Sequence, residues 1–491
     1  MKRKKLVMGL ILIAAVVAGV LALTGCQPDN PDAESYSNYR IGLELSDDLE
    51  TVKVSETVVY RHKAEVAIDQ LVFRLYANAY AEGAAYPAYL NALGKYGGFE
   101  LQTLTCDGSP VTPVYGEDRT VLRVPLSRKL ATGDTVTIAV EGEVTVPHCN
   151  LRLGLTDGVL NFGNAIPVLS VFRDGQWRED RYTQIGDPFV AETAEFEVTV
   201  TAPASLKLAT GGNKATVSTD GNKNVFVIPK HIARDFTLAA SYDFAVNERD
   251  VDGVTVRYFY RPDKQTEADA MLNTAVSALE WMQSTAGDYP YDNYAVCETP
   301  FYYGGMEYGG LVLINDASVG KDDIVIHETV HQWFGVGVGS DAVNESWVDE
   351  ALTTFLSHYY YKGNGNVDRF ESGIANERRQ FDGFMKARLL THPGYRAEID
   401  RNLYAFETIY EYSLVVYSRG ALMFDAAYRL MGERKFEQAL RAYYQAYSNR
   451  IADAEGLFAA FDGAMRGISE TMRPWLKGAV VQESFLPRAS V

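Results

Sequence analysis

The sequence predicts a multidomain α+β chain in which an antiparallel, β-rich half (residues 39–255) precedes a mainly helical half (256–491). Three observations carry this. From about Tyr39 to Arg261 apolar residues alternate with a period of two, turn signals punctuate the alternation, and after Pro262 apolar residues recur at helical spacing. The composition, 47% apolar and 22% charged, is that of an ordinary globular chain. With 46 basic against 64 acidic side chains the formal charge is −18, which excludes the basic stripe a nucleic-acid binder needs. Seven His and four Cys exclude a disulfide scaffold and a Cys-rich zinc module.

The chain opens on Lys2, Arg3, Lys4 and Lys5, followed by the uncharged run Leu6 to Leu23. A basic start before an apolar run is the pattern of a secretory signal. Leu23-Thr24-Gly25-Cys26 resembles the bacterial lipobox, which implies cleavage before Cys26 and acylation of its thiol. Two or three acyl chains hold a protein stably on a bilayer, where one does not. The expectation is a signal peptide over 1–25, a lipidated tether over 26–38 rich in Pro, Asp and Asn, and an exported bacterial lipoprotein on the extracytoplasmic face of a membrane.

In the β-rich half, Val136, Ile138 and Val140 face one way and the intervening residues the other, and Phe196, Val198 and Val200 repeat the pattern. Asp107-Gly108, Thr132-Gly133-Asp134, Gly211-Gly212-Asn213 and Asp220-Gly221-Asn222 mark turns. His62, His148 and His231 have no partner at ligand spacing and read as surface or core residues. Cys106 and Cys149 can pair in an oxidising compartment, with Cys297 left over; three free buried thiols are the equal alternative. Beyond Pro262, Met271, Leu272, Val276, Leu279 and Met282 predict a helix over 266–285. A Gly- and Tyr-rich, strand-like passage covers 288–314, and helices predominate from Lys321.

Ile324 to Gly335 reads IVIHETVHQWFG. His327 and His331 are four apart, so on a helix both imidazoles leave one face about one turn apart. That is the separation two ligands of a tetrahedral zinc require. Glu328, beside His327, can take a proton from water at the metal without binding it. Asp322 is expected to cap this helix. By chance roughly 0.1 such His pairs would occur, and a Glu in second place reduces this to about one in a hundred. Glu350, nineteen positions after His331, opens a second helical stretch within WVDEAL. His2Glu with an open fourth position is a catalytic zinc set. Glu345 is the competing third ligand, in the connection before that helix. His358 serves only if Glu350 does not, and otherwise belongs to the surface. Trp333 and Phe334 pack behind the metal helix.

HETVHQWFG followed by Glu350 resembles the aminopeptidase N family of gluzincin zinc metallopeptidases. Gly304-Gly305-Met306-Glu307-Tyr308 resembles that family's G-x-M-E-N segment, and Tyr417-Ser418-Arg419-Gly420-Ala421 its Y-x-K/R-G-A segment. The motifs come in the family's order over residues 285–430. The resemblance implies a saddle-like β first domain and a thermolysin-like catalytic domain. It implies one zinc on His327, His331 and Glu350, with Glu328 as general base and Tyr417 as oxyanion stabiliser. Glu307 would pair with the substrate's α-amine, which makes the enzyme an exopeptidase. Gly304 and Gly305 would receive the peptide as an added strand, and Met306 would line the first side-chain pocket. The partners implied are peptide or protein N-termini. Tyr308 departs from the family's Asn, the large C-terminal helical domain of many relatives is not expected, and Asn164 is the candidate second amine-binding residue. The alternatives are an endopeptidase with an open cleft and an inactive peptide-binding surface lipoprotein.

Overall fold

The computed structural model describes residues 36–84, 95–318 and 320–479. The signal peptide, Cys26 and nearly all of the tether lie outside the described residues. Among the described residues no helix is long and apolar enough to cross a membrane. Ordered strand begins at Asn38, the residue at which the tether was expected to end.

The β-rich half is built on an eight-stranded sheet. Its order is Thr216–Asp220, Lys223–Ala233, Ala194–Pro203, Asn38–Leu45, Thr51–Arg61, Thr135–Thr145, Gly98–Cys106 and Ser109–Pro110. Alternation places Val136, Ile138 and Val140 on the buried face, as it does Phe196, Val198 and Val200. Two shorter four-stranded sheets and a two-stranded hairpin, Phe172–Arg173 with Gln176–Trp177, complete the half. The Asp107-Gly108 turn joins Cys106 to Ser109 directly, and both of its residues have positive φ (48° and 76°) as a two-residue hairpin requires. One feature departs from the antiparallel expectation: Asn38–Leu45 lies parallel to Ala194–Pro203. A parallel pair cannot be closed by a hairpin, so this contact joins two ends of a long excursion. Cys106, Cys149 and Cys297 are all free and buried, and the Cys106–Cys149 pair does not form.

The change of sheet falls between Ser241 and Ala245, ahead of the expected boundary at 255. Ala245–Val251 and Val254–Tyr260 form a hairpin that belongs to a second, five-stranded sheet. That sheet continues through Asn293–Thr299 and Leu311–Asn315 to an edge strand, Gly305–Tyr308. Helix α1 (Gln265–Thr285) packs on the sheet beside α2 (Lys321–His331). Then come α3 (Trp347–Gly363), α4 (Val367–Thr391), α5 (Arg419–Met431), α6 (Glu433–Tyr447), α7 (Ala454–Ala464) and α8 (Ile468–Leu476). Helix α3 is buried on nearly every side, which makes it the central helix of this half. One apolar core runs from the sheet face through these helices, and a second fills the β-rich half. A smaller cluster joins the two, with Val159 and Ala239 of the first half against Met306, Tyr308 and Leu313 of the edge hairpin.

The cap of α2 differs from expectation. Gly320, at φ 73°, precedes the helix, and no side chain caps it. Asp322 lies inside the first turn, where its carboxylate favours the helix dipole and pairs with Arg369 at 2.7 Å.

Candidate active site

On α2, the Nε2 atoms of His327 and His331 stand 3.1 Å apart. Glu350, in the first turn of α3, brings Oε2 to 3.2 Å from His331 Nε2 and 3.5 Å from His327 Nε2. Zinc bound tetrahedrally at roughly 2.0–2.1 Å has ligand–ligand edges of about 3.3 Å. The three measured separations bracket that edge, so the donor set fits zinc in spacing as well as in type.

The outer hydrogen bonds turn both imidazoles the right way. His331 Nδ1–H donates to the Phe334 carbonyl at 2.8 Å, leaving the Nε2 lone pair for the pocket. Ser357 spends its proton on the Thr353 carbonyl at 2.7 Å, so its Oγ accepts from His327 Nδ1–H at 3.3 Å. Electrostatics favour an ionised third ligand. Burial opposes ionisation of Glu350, but the positive charge His331 carries when it is protonated, with the hydrogen bonds from His327 and His331, outweighs it and holds the carboxyl far below its usual range.

Glu328 lies on the same helix, is buried, and has no hydrogen-bond partner for Oε2 among the described residues. Burial and the neighbouring Glu307 push its carboxyl well up. Tyr417 closes the other side: its hydroxyl donates to Glu350 Oε1 at 2.6 Å, and its ring lies parallel to that of His327 at 6.0 Å. Tyr417 sits in a π-helical turn, Ser413–Ser418, immediately before α5. Such turns are rare and recur at functional sites. The motif's glycine has a packing reason. A Cβ at Gly420 would run into Ala351, the neighbour of Glu350, so only glycine lets α5 cross α3 this closely. Arg419 is buried between the Phe381 and Trp475 rings and anchors the C-terminal helix rather than the site.

The edge strand Gly305–Tyr308 forms one wall of the cleft, which also admits Glu328, His327, Glu350 and Tyr417. Gly304 and Gly305 line it, with Gly304 O accepting from Asn315 N at 2.9 Å. Glu307 faces the cleft. Burial raises its carboxyl to about 8, against the pull of His331 and with the help of Asp187 and Glu350. Met306 faces the other way. Its Sδ accepts from Arg152 Nε at 3.1 Å, and it lines an adjoining inner chamber with Asp187, Phe189 and Tyr412.

Several residues near the centre gave no sequence signal. Asp187 and Arg152, from the β-rich half, form an ion pair, buried on the Arg152 side and half-buried at Asp187, that lines the cleft beside Glu307. Asp187 sits in Gly186-Asp187-Pro188-Phe189, within a stretch of irregular backbone where no periodicity points to a site. Asn164, the candidate amine-binding residue, is committed elsewhere. It accepts from the Tyr308 hydroxyl at 3.1 Å and donates to Asp235 at 3.0 Å. Tyr308 thus reaches across to the first half from the position where the resembled family carries Asn. His358 is not a surface residue: it lines the cleft and bonds Glu377 at 3.1 Å. Glu345 stands apart from the metal ligands, half-buried before α3. Trp333 and Phe334 are buried behind α2 as expected.

An H-E-x-x-H helix joined to a carboxylate of the next buried helix is a donor arrangement suited to a catalytic zinc. A family model described as the peptidase family M1 domain matches residues 270–475, the stretch that carries the metal ligands and Tyr417. The chain is 24% identical to Aminopeptidase 2 of Candida albicans over 306 residues, 58% of this chain and 33% of that protein. It is likewise 24% identical to Aminopeptidase N of Streptomyces lividans over 257 residues, 48% of this chain and 29% of that one. The chain thus spans about a third of the length of the curated relatives it matches. In fold it resembles the M1 zinc metallopeptidase from Deinococcus radiodurans, with TM-score 0.64 and 18% identity over 93% of this chain and 96% of that one. A mutant of that protein bound to a Tyr-Ser-Ala substrate gives TM-score 0.63 at 18% identity, covering 91% and 95%.

Proposed function

We propose that the chain is a zinc-dependent aminopeptidase that hydrolyses the N-terminal peptide bond of peptides or proteins outside the cytoplasmic membrane. The observation that carries this is the gathering of carboxylates at one end of the cleft. Asp187, Glu307, Glu328 and Glu350 all border it, while Arg152 is the one lysine or arginine among its described lining residues. Carboxylates so close together, Glu328 and Glu350 buried and Asp187 and Glu307 half-buried, call for cations. A dication at His327, His331 and Glu350 answers one part of this need. A substrate ammonium between Glu307 and Asp187 answers the other, and it measures the cut from the chain end.

His327, His331 and Glu350 would hold zinc, which would supply Lewis-acid polarisation of the scissile carbonyl and of water. Glu328 takes the proton of the attacking water and passes it to the leaving amine, so the bond breaks with protons balanced. Tyr417 turns its hydroxyl from Glu350 to the carbonyl oxygen as negative charge develops there, an interaction confined to the transition state. The outer edge of Gly305–Tyr308 pairs with the extended peptide, and Gly304 and Gly305 permit its close approach. Met306 lines the chamber that receives the first side chain. Acylated Cys26 anchors the chain to the bilayer, and the signal before it makes this an exported lipoprotein.

A library of fluorogenic single-amino-acid amides, run with and without a zinc chelator and beside N-acetylated peptides, tests the reading. Hydrolysis confined to free amines, abolished by chelation and restored by zinc, is expected. Equal cleavage of acetylated and free peptides would overturn the exopeptidase assignment in favour of an endopeptidase.

A further inference from the structure

Beyond the metal ligands and Tyr417, the cleft holds a second polar cluster that links three elements. Glu377 projects from the middle of α4. Its Oε1 bonds His358 Nε2 of α3 at 3.1 Å, and its Oε2 accepts from Ser418 Oγ at 2.6 Å. Its side chain is 13% exposed and that of His358 19%, so the bonds are shielded from competing water. Burial opposes ionisation of Glu377, but the hydrogen bonds from His358 and Ser418 outweigh it and hold the carboxyl below its usual range. The acceptor is therefore a carboxylate at neutral pH, and its bonds are the stronger for it.

Ser418 follows Tyr417 and ends the π-helical turn. A π turn is intrinsically poorer than an α turn and persists only where its surroundings favour it. Within this turn Tyr417 reaches Glu350 on α3 while Ser418 reaches Glu377 on α4. The two bonds fix the turn from opposite sides. Glu377 also ties α4 to α3 through His358, the helix that carries the third metal ligand.

We propose that Glu377 is a positioning residue that, through Ser418, holds the π turn in the register that aims the Tyr417 hydroxyl at the reacting centre. This rests on the aminopeptidase reading of Tyr417. The carboxylate hydrogen-bonds to Ser418 and His358 and to no metal ligand, so its path to the Tyr417 hydroxyl runs through the turn.

The test is a set of double-mutant cycles on zinc-loaded enzyme with an aminoacyl amide substrate. Glu377→Ala and Ser418→Ala should each lower kcat about tenfold, the effect of one broken buried bond in a network, and leave KM nearly unchanged. Glu377→Gln, which can still accept from Ser418, should recover most of the rate. In a Tyr417→Phe background neither alanine should lower kcat further. Ser418→Ala removes a single oxygen and carries the test should Glu377→Ala not fold. A second readout is independent of activity: in a crystal structure of metal-free Ser418→Ala, the Tyr417 hydroxyl should have left Glu350. Full additivity with Tyr417→Phe, or an undisturbed Tyr417–Glu350 bond, overturns the positioning role. A fully active Tyr417→Phe is a different failure, since it removes the oxyanion role and this inference with it.

Discussion

Gly305→Ala changes one hydrogen for a methyl group, yet it should disable the enzyme without unfolding it. Built on the observed backbone, the new Cβ would stand 2.7 Å from both Cγ and Cδ of Glu328 and nearer still to Oε1. Carbon atoms rest at about 3.5–4.0 Å, so the carboxylate must withdraw by about 1 Å. Nothing among the described residues bonds Glu328 Oε2, so the side chain is free to give way. Misplacing a reacting group by about 1 Å costs roughly 10²-fold in rate, or about 2.7 kcal/mol of transition-state stabilisation. The fold should not suffer. Gly305 is absent from the positive-φ residues, and alanine at such a position is neutral to mildly stabilising. The assay is kcat and KM on an aminoacyl amide, with zinc stoichiometry and the melting temperature measured on the same preparation. A kcat loss near 10²-fold with zinc and Tm unchanged is expected. If KM alone rises, the glycine serves only the approach of the substrate backbone, and the reasoning from Glu328 is refuted.

Glu328→Gln should retain a full complement of zinc and lose about 10³-fold in kcat, since the base goes and every ligand stays; turnover within tenfold of the parent would end the general-base assignment. Gly420→Ala drives a Cβ into Ala351 beside Glu350. Such overpacking costs about 1–3 kcal/mol, so a lower melting temperature and weaker zinc retention are expected, and a neutral outcome in both would remove the close-crossing argument. Glu56 is buried in the β-rich half with neither carboxylate oxygen bonded among the described residues. Burial, with Asp235 adding to it, pushes its carboxyl well above the ordinary 4.5. The folded state therefore keeps a proton that the unfolded chain releases. The resulting stability is present below about pH 4.5 and is lost as pH climbs towards the raised value, by about 1.4 kcal/mol per pH unit. Glu56→Gln should accordingly melt higher than the parent by a margin that widens between pH 5 and pH 8, and a constant margin would refute the assignment.

The metal helix was legible because its information is local. His327 and His331 share a face through the helical period alone, and Glu350 opens a second helical stretch within WVDEAL. The strands of the β-rich half were legible for the same reason, since alternation at Val136 to Val140 and Phe196 to Val200 needs no partner to be read. Tyr417, Glu307 and the glycines stood out through motif resemblance, which gave their identity but not their surroundings. What the sequence by itself determined, then, were periods and spacings within single elements. Only the tertiary structure decided that Asp187 and Arg152 meet Glu307 across the cleft, that Asn164 serves Tyr308, that Gly305 makes room for Glu328, and that Glu377 clasps His358 and Ser418. It also decided the parallel seat of Asn38–Leu45 beside Ala194–Pro203. Each of these contacts joins segments far apart along the chain. It is settled by how buried faces fill one another, and no local period records that.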